Sequence, residues 1–311
     1  MSMAMRAAIR DAARRIGPYV RRTPILDLEP GAFGVEASLT LKLESLQHSG
    51  SFKARGAFNR ILSAETIPPA GVIAASGGNH GAAVAYAARR LGYRAEIFVP
   101  DLCPPTKVAR LRAYGAEVTQ VGAVYEEAFR TCQARAAATG ALLVHAYNQP
   151  EVVVGQGTVG WEFVWQAPDL DTVLVAVGGG GLIAGVAAWY AGSVRVIGVE
   201  PERAPTLARA LEAGEPVDVA VGGIAVDSLG AGRAGEIAFA VAREHVDRVV
   251  LVTDEQIGAA QQALWETVRV AAEPGASAAL AAILGGAYRP APDERVGILV
   301  CGGNVDPRQF G

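Results

Sequence analysis

A glycine tetrad, Gly178-Gly179-Gly180-Gly181, follows the apolar run Thr172–Val177 and precedes a helical stretch that starts near Leu182. Consecutive glycines leave backbone N–H groups uncovered, and a helix N-terminus adds partial positive charge, so this spacing supports binding of an anion, phosphate above all. Gly179, Gly181 and Ala184 satisfy G-x-G-x-x-A, and Glu200 lies at the end of the next strand, the arrangement of a dinucleotide-binding unit. Taken alone, the segment reads as a nicotinamide-dependent oxidoreductase, as the cup for another phosphate ligand, or as a tight turn without a ligand. Two further strand ends are loaded with glycine, Ser76-Gly77-Gly78-Asn79-His80-Gly81 and Cys301-Gly302-Gly303-Asn304. Upstream stands Lys53, in Ser51-Phe52-Lys53-Ala54-Arg55-Gly56. A solitary lysine in a loop is ordinarily solvated, so its meaning depends on what surrounds it.

The elements that must position these groups alternate along the chain. Apolar, β-branched runs predict strands at Gly71–Ala75, Arg94–Val99, Ala116–Val121, Ala141–His145, Thr172–Val177, Val194–Val199, Arg248–Val252 and Val296–Cys301. Helices are predicted between them at Gly81–Leu91, Thr106–Tyr114, Tyr125–Ala138, Gly157–Gln166, Leu182–Ala191 and Asp254–Val270, the last opened by a Thr253/Gln256 capping box. Strands that are apolar throughout, joined through helices, imply parallel sheets covered on both faces in an open α/β architecture. Ligands in such folds sit at the carboxyl ends of strands, where the three glycine-rich loops fall.

Composition narrows the class. The chain has 311 residues, enough for about two domains, with 28 Lys and Arg against 31 Asp and Glu and a formal charge of −3. That balance argues against a nucleic-acid groove or a polybasic membrane surface. Charged residues make up 19% and hydrophobic ones 51%, which excludes a disordered chain. Cys103, Cys132 and Cys301 form no zinc-type spacing and no disulfide framework, and Met1–Arg22 has no apolar segment of a secretory signal. The uncharged run Thr172–Val194 is interrupted by the tetrad and reads as a buried strand and helix rather than a membrane span. A soluble cytoplasmic protein is expected.

The segment around Lys53 closely resembles the lysine motif of the fold-type II pyridoxal-phosphate enzymes, specifically the threonine/serine dehydratase and serine racemase family. The resemblance continues in the family's order over nearly the whole chain. Ser76–Gly81 is similar to S-x-G-N-H-(G/A), Gly155-Gln156-Gly157-Thr158 to G-Q-G-T, and Gly178–Gly181 with Leu182 to the phosphate cup. Gly223-Ile224-Ala225-Val226 resembles the segment lining the pyridine ring, Glu273-Pro274 the pair beside it, and Cys301–Asn304 the place where a serine, threonine or cysteine meets the pyridine nitrogen. Landmarks in one order outweigh the G-x-G-x-x-A match. They imply a tryptophan-synthase-β-like α/β fold of two open, mainly parallel sheet domains, residues 1–70 and 149–311 forming the larger, cofactor-binding one and 71–148 the smaller.

The resemblance also implies roles. Lys53 would carry pyridoxal 5'-phosphate as a Schiff base, next to Phe52, and serve as base for the substrate α-proton once released. Asn79 would bond the phenolic oxygen, Gly178, Gly179, Gly180, Gly181 and Leu182 the phosphate, Gly223 and Glu273 the ring, and Cys301 its nitrogen. Ser76, Gly77, Gly78, Asn79 and His80 would hold the substrate carboxylate. A thiol is a weak donor and leaves the ring closer to neutral than a carboxylate would, which suits rapid β-elimination better than transamination. The implied reaction converts L-threonine and/or L-serine to 2-oxobutanoate or pyruvate plus ammonia, the cofactor phosphate helping to protonate the departing hydroxyl. Serine racemisation and dehydration of another β-hydroxy amino acid, such as 3-hydroxyaspartate, are the nearest alternatives.

Departures from the family pattern refine these expectations. Racemases place a serine, acting on the opposite cofactor face, where this chain has Gly77, so a one-base dehydratase is favoured. The racemase-like cation site is matched by Glu200 and Ala204, but Thr206 replaces its aspartate, and no metal is expected. Cys301–Asn304 falls close to the C-terminus, so the regulatory domain of biosynthetic threonine dehydratases is not expected. Family members pair as dimers, and a homodimer is expected. His48, His145 and His245 lack metal-ligand spacing, and Trp161, Trp165, Trp189 and Trp265 read as core or interface residues.

Overall fold

The structure, a computed structural model, describes residues 2–310. The chain opens with α1 (Ser2–Ile16), β1 (Ile25–Leu28) and β2 (Ser38–Leu43), then enters α2 (Lys53–Leu62). Next come β3 (Val72–Ala75), α3 (Asn79–Leu91), β4 (Ala95–Val99), α4 (Pro105–Ala113), β5 (Glu117–Gln120), α5 (Tyr125–Thr139) and β6 (Leu142–Leu143). They are followed by α6 (Pro150–Gln166), β7 (Thr172–Ala176), α7 (Gly181–Tyr190), β8 (Arg195–Pro201) and α8 (Thr206–Ala213). The remainder is α9 (Val226–Leu229), α10 (Glu236–His245), β9 (Arg248–Val252), α11 (Asp254–Val268), α12 (Pro274–Leu284) and β10 (Arg295–Val300).

The strands form two sheets, a six-stranded one ordered β1-β2-β10-β7-β8-β9 and a four-stranded one ordered β5-β4-β3-β6. Every pairing is parallel except β1 with β2. This is the expected α/β architecture of two mainly parallel sheets. The larger core packs β7, β8 and β10 against α7 and α12, whose apolar residues leave almost nothing exposed on either face. A second core sets α2 and α3 against β3 and β4.

Local chemistry accounts for most element ends. Pro150 and Pro274 begin α6 and α12, where the missing N–H has no helical partner to lose. The Thr253/Gln256 capping box closes in both directions at the start of α11. Ile9, Ala12, Ala13 and Ile16 bury one stripe of α1, an i, i+3, i+4, i+7 pattern set among arginines. Three differences bear on the site. Lys53 is not in a loop but is the first residue of α2, and Asn79 and His80 likewise begin α3 rather than precede it. The pair β1–β2, unanticipated in the sequence, carries Lys42 into the core.

There, Lys42 meets a fully buried cluster of charge. Its Nζ donates to Glu162 Oε1 at 2.5 Å, Gln166 Oε1 at 2.7 Å and the Thr23 carbonyl at 2.7 Å. Arg55 Nε and Nη2 fork onto Glu44 at 2.8 and 2.6 Å, while Nη1 and Nη2 reach Glu162 Oε2 at 3.1 Å. Burial raises the Glu162 carboxyl, but Arg55 and Lys42 outweigh it and hold the group below its ordinary value. The cluster ties α2 to β2 and α6. Arg55→Met removes the fork that two carboxylates share, and a loss of about 3–5 kcal/mol is expected because buried carboxylates are left undercompensated. Urea unfolding monitored by circular dichroism checks this; an unchanged midpoint would rule out a stabilising role for the fork.

Candidate active site

The loop before α2 is hydrogen-bonded to the end of β10, Phe52 N donating to Cys301 O at 3.1 Å and Ser51 bridging Gly302. That pairing sets Lys53 beside Cys301. Lys53 Nζ donates to the Ala146 carbonyl at 2.8 Å and stands 5.2 Å from the centre of the Phe52 ring. The ammonium opens onto a cleft but is otherwise enclosed by protein. Burial brings its pKa from 10.5 down to about 8, with Cys301 and Glu273 opposing the shift. An amine so placed is partly neutral near physiological pH, the form that attacks a carbonyl or takes a proton.

Glu273, the residue before α12, is buried and accepts a hydrogen bond from Asn79 Nδ2 at 2.6 Å. Burial lifts Glu273 to about 7, against the pull of Asn79. Asn304 Nδ2 donates to Asn79 Oδ1 at 2.7 Å and to Ser49 O at 2.8 Å, so the Asn79 amide is held by both ends with one N–H left to give. Cys301 is buried, and burial pushes its thiol far up, so that it stays protonated.

The tetrad joins β7 to α7 and approaches Tyr147 closely. A Cβ on Gly179 would stand 2.4 Å from the Tyr147 ring; on Gly180, whose φ is +87°, it would meet Ala238 Cβ at 2.4 Å. Only glycine allows that approach and that backbone. Phe52, Lys53, Asn79, Gly178, Gly179, Gly180, Gly181, Leu182, Glu273 and Cys301 all line one narrow cavity of about 40 Å³. It adjoins a cleft of about 780 Å³ lined by Lys53 and the loop Ser76, Gly77, Gly78, Asn79 and His80. Ser76 Oγ accepts from Gly78 N at 3.1 Å, which shapes the loop. His80 Nε2 donates to Val144 O at 2.9 Å, and burial with the nearby Lys53 charge lowers the imidazole to about 3, leaving it neutral.

Gly223 is the exception among the sequence candidates. It lies outside the narrow cavity, in a turn at φ +85° where a Cβ would meet Asp254 Oδ1 at 2.5 Å, so the requirement for glycine there comes from the turn. Glu200 also has a local explanation: it accepts from Leu207 N at 2.7 Å and Ala208 N at 2.9 Å, capping α8, while Thr206 Oγ1 donates to Ala231 O at 2.7 Å. Sequence reasoning missed Tyr147, which roofs the tetrad, and the orienting role of Asn304. Asn304 was visible in the C-G-G-N motif; Tyr147 has no local signal.

These residues fit pyridoxal phosphate: an amine of depressed pKa, a glycine cup that side chains would fill, a free amide N–H and a neutral thiol on one cavity. The family described as pyridoxal-phosphate dependent enzyme matches residues 16–302, and the chain belongs to it. The chain is similar to a phenylserine dehydratase of Ralstonia pickettii, 39% identical over 98% of this chain and 94% of that one. It is also similar to an L-threonine ammonia-lyase of Thermotoga maritima, at 35% identity over 96% of this chain and 75% of that one. Among solved structures, maize serine racemase superposes with a TM-score of 0.91 at 37% identity, covering 98% of this chain and 94% of the other.

The depressed Lys53 pKa has a kinetic consequence. Below about pH 8 the ammonium cannot attack the cofactor aldehyde, and above it the free amine dominates. Capture of added pyridoxal phosphate by the apoprotein, followed as growth of visible absorbance, should accelerate with pH and level off just above 8. A rate still climbing toward 10.5, the ordinary lysine value, would contradict this account.

Proposed function

We propose that the protein catalyses β-elimination from L-β-hydroxy-α-amino acids, with L-threonine and L-serine within its substrate class, releasing a 2-oxo acid and ammonia. The observation that carries the reading is a single partly neutral amine, Lys53, facing the Ser76–His80 loop at the N-terminus of α3, with no second titratable group in that loop able to give up a proton. Relatives that eliminate water or ammonia from β-substituted amino acids point the same way.

The substrate carboxylate sits against the Ser76–Gly78 turn at the start of α3, where the helix dipole favours an anion. The N–H groups of Ser76 and Gly78 are spent on Phe98 O and Ser76 Oγ, so the donors are those of Gly77 and the first turn of α3. The bound cofactor supplies an electron sink for the α-carbon. Lys53 takes the α-proton, and the β-hydroxyl leaves with a proton as water. A water is added back in hydrolysis, and ammonia departs, so the net change is rearrangement to the 2-oxo acid with loss of ammonia. Asn79, fixed by Glu273 and Asn304, would offer its remaining N–H to the cofactor's phenolic oxygen. Gly178–Gly181 and Leu182 would hold its phosphate, and the Cys301 thiol would meet its ring nitrogen.

Racemisation needs a proton donor on the face opposite Lys53. Gly77 has no side chain to supply one; a Cβ there would lie 2.7 Å from Cys103 Sγ, whose thiol fills the space and, its pKa raised by burial, holds its proton. We further propose that residues 71–148, built on the four-stranded sheet, form a smaller domain beside the larger one. The protein is read as a cytoplasmic homodimer acting on small amino acids; its three free cysteines accord with a reducing compartment, and Trp165, 70% exposed, with a subunit contact. No helix among the described residues is long and apolar enough to cross a membrane.

Incubation of the holoenzyme with L-threonine and L-serine should release 2-oxobutanoate and pyruvate with equimolar ammonia. Lys53→Ala should abolish both release and the visible absorbance of the lysine-linked cofactor; turnover retained in that variant would refute the assignment. Wild-type protein should form no D-serine from L-serine. Gly77→Ser combined with Cys103→Ala should form it where Gly77→Ser alone does not, as read by chiral chromatography.

A further inference from the structure

The cleft beyond Lys53 shares Asn79, Tyr147 and Gly179 with the narrow cavity, and even with the cofactor ring taking part of it, it is larger than threonine or serine requires. At about 780 Å³ it falls within the ~300–1,000 Å³ range of sites for ring-sized ligands. Set among the charged Lys107, Glu126, Asp218, Asp227 and Arg233, its outer wall carries apolar side chains from three separate segments. Leu102 projects from the β4–α4 loop, Tyr125 begins α5, and Val221 and Val226 flank the turn into α9. These side chains are left open to solvent, Leu102 by 84%, Val226 by 41%, Tyr125 by 39% and Val221 by 38%. Large apolar residues exposed singly are ordinary, but their convergence on the mouth of a catalytic cleft marks a surface that a ligand covers.

The charges of the cleft sharpen the point. Lys107 is paired with Asp227 at 2.8 Å and Arg233 with Asp218 at 3.2 Å. Lys53 is committed to the cofactor, and Glu126 adds a negative charge at the rim. Among the described lining residues no cation remains unpaired to receive a second carboxylate, so an acidic side chain on the substrate would meet Glu126 without compensation.

We infer that the substrate's β-carbon carries a large apolar group, aryl or branched alkyl, lying against Leu102, Tyr125 and Val226. A phenylserine-type amino acid is then preferred over L-threonine, L-serine and 3-hydroxyaspartate. This rests on the β-elimination reading and narrows its substrate. The amino-acid end stays with the Ser76–His80 loop, common to every substrate, while the outer wall discriminates among Cβ substituents.

The test uses the holoenzyme with L-threo-phenylserine, L-threonine, L-serine and L-threo-3-hydroxyaspartate, reading kcat/KM from 2-oxo acid release. Phenylserine should exceed L-threonine by at least ~10-fold, in line with what apolar pockets achieve for small changes in buried area, and 3-hydroxyaspartate should be poorest. Leu102→Ser and Tyr125→Ala, both at exposed positions, should lower the phenylserine-to-threonine ratio by about tenfold through KM for phenylserine. If L-threonine or L-serine exceeds phenylserine, the inference falls while β-elimination stands. An unmoved ratio in both variants overturns the placement of the apolar group. Silence on all four substrates, with the visible absorbance of the lysine-linked cofactor present, overturns β-elimination itself and the inference with it.

Discussion

Lys53 can act only where α2 puts it, and α2 is held by the fork of Arg55 on Glu44 and Glu162. Two cations and two carboxylates lie together in the core, Lys42 and Glu44 with no exposed surface, Arg55 at 1% and Glu162 at 6%. Taking each ion out of water costs several kcal/mol, and an apolar replacement of similar shape is often no less stable. Stability alone therefore does not account for the cluster. Its geometry does more: a guanidinium bonded along two directions allows neither rotation nor sliding of the first turn of α2 relative to β2 and α6. Lys53 heads the same helix, two residues before Arg55 and within the same turn.

The other half of the positioning is backbone. Phe52 N on Cys301 O and the Ser51–Gly302 bridge join the loop before α2 to the end of β10, so the amine and the thiol keep a fixed relation. Around them the protein removes competing charge. His80 is held neutral, Cys301 is held protonated, and Glu273 is raised toward neutrality by burial while it holds Asn79. What remains near physiological pH is the Lys53 amine, at about 8, beside the Glu273 carboxyl, at about 7; of the two only the amine can serve as a base alternating between bound and free states.

Much of this was legible in the chain, because the relevant signals are local. Glycine loops at strand ends, apolar strands and the Thr253/Gln256 box each depend on a few consecutive residues, and all appear where the residues place them. The unread elements depend on distant partners. β1 is half-buried and pairs only with β2, whose other neighbour, β10, lies more than two hundred residues on, so no alternation announces it. Lys42 looks like a surface residue until Glu162 is brought to it. Tyr147 gains its importance from the glycines beneath it, and at Gly223 a turn at φ +85° beside Asp254 is by itself enough to require glycine.

The tetrad shows why a motif needs its surroundings. Gly179, Gly181, Ala184 and Glu200 stand at the spacing of a dinucleotide fold, in which the acidic residue must face a ribose. Glu200 faces the other way, with no exposed surface and both oxygens taken by the amides that open α8. Burial raises its pKa to about 8 despite those amides, and with both oxygens already accepting, a second demand from a ribose or a cation would compete with the cap. The tetrad is also roofed by Tyr147 and opens into a cavity of only about 40 Å³ that Lys53 and Asn79 share. The tetrad thus stands beside a lysine and an amide, partners for a ring-borne phosphate, and the acidic residue at the dinucleotide spacing is not free to face a ribose.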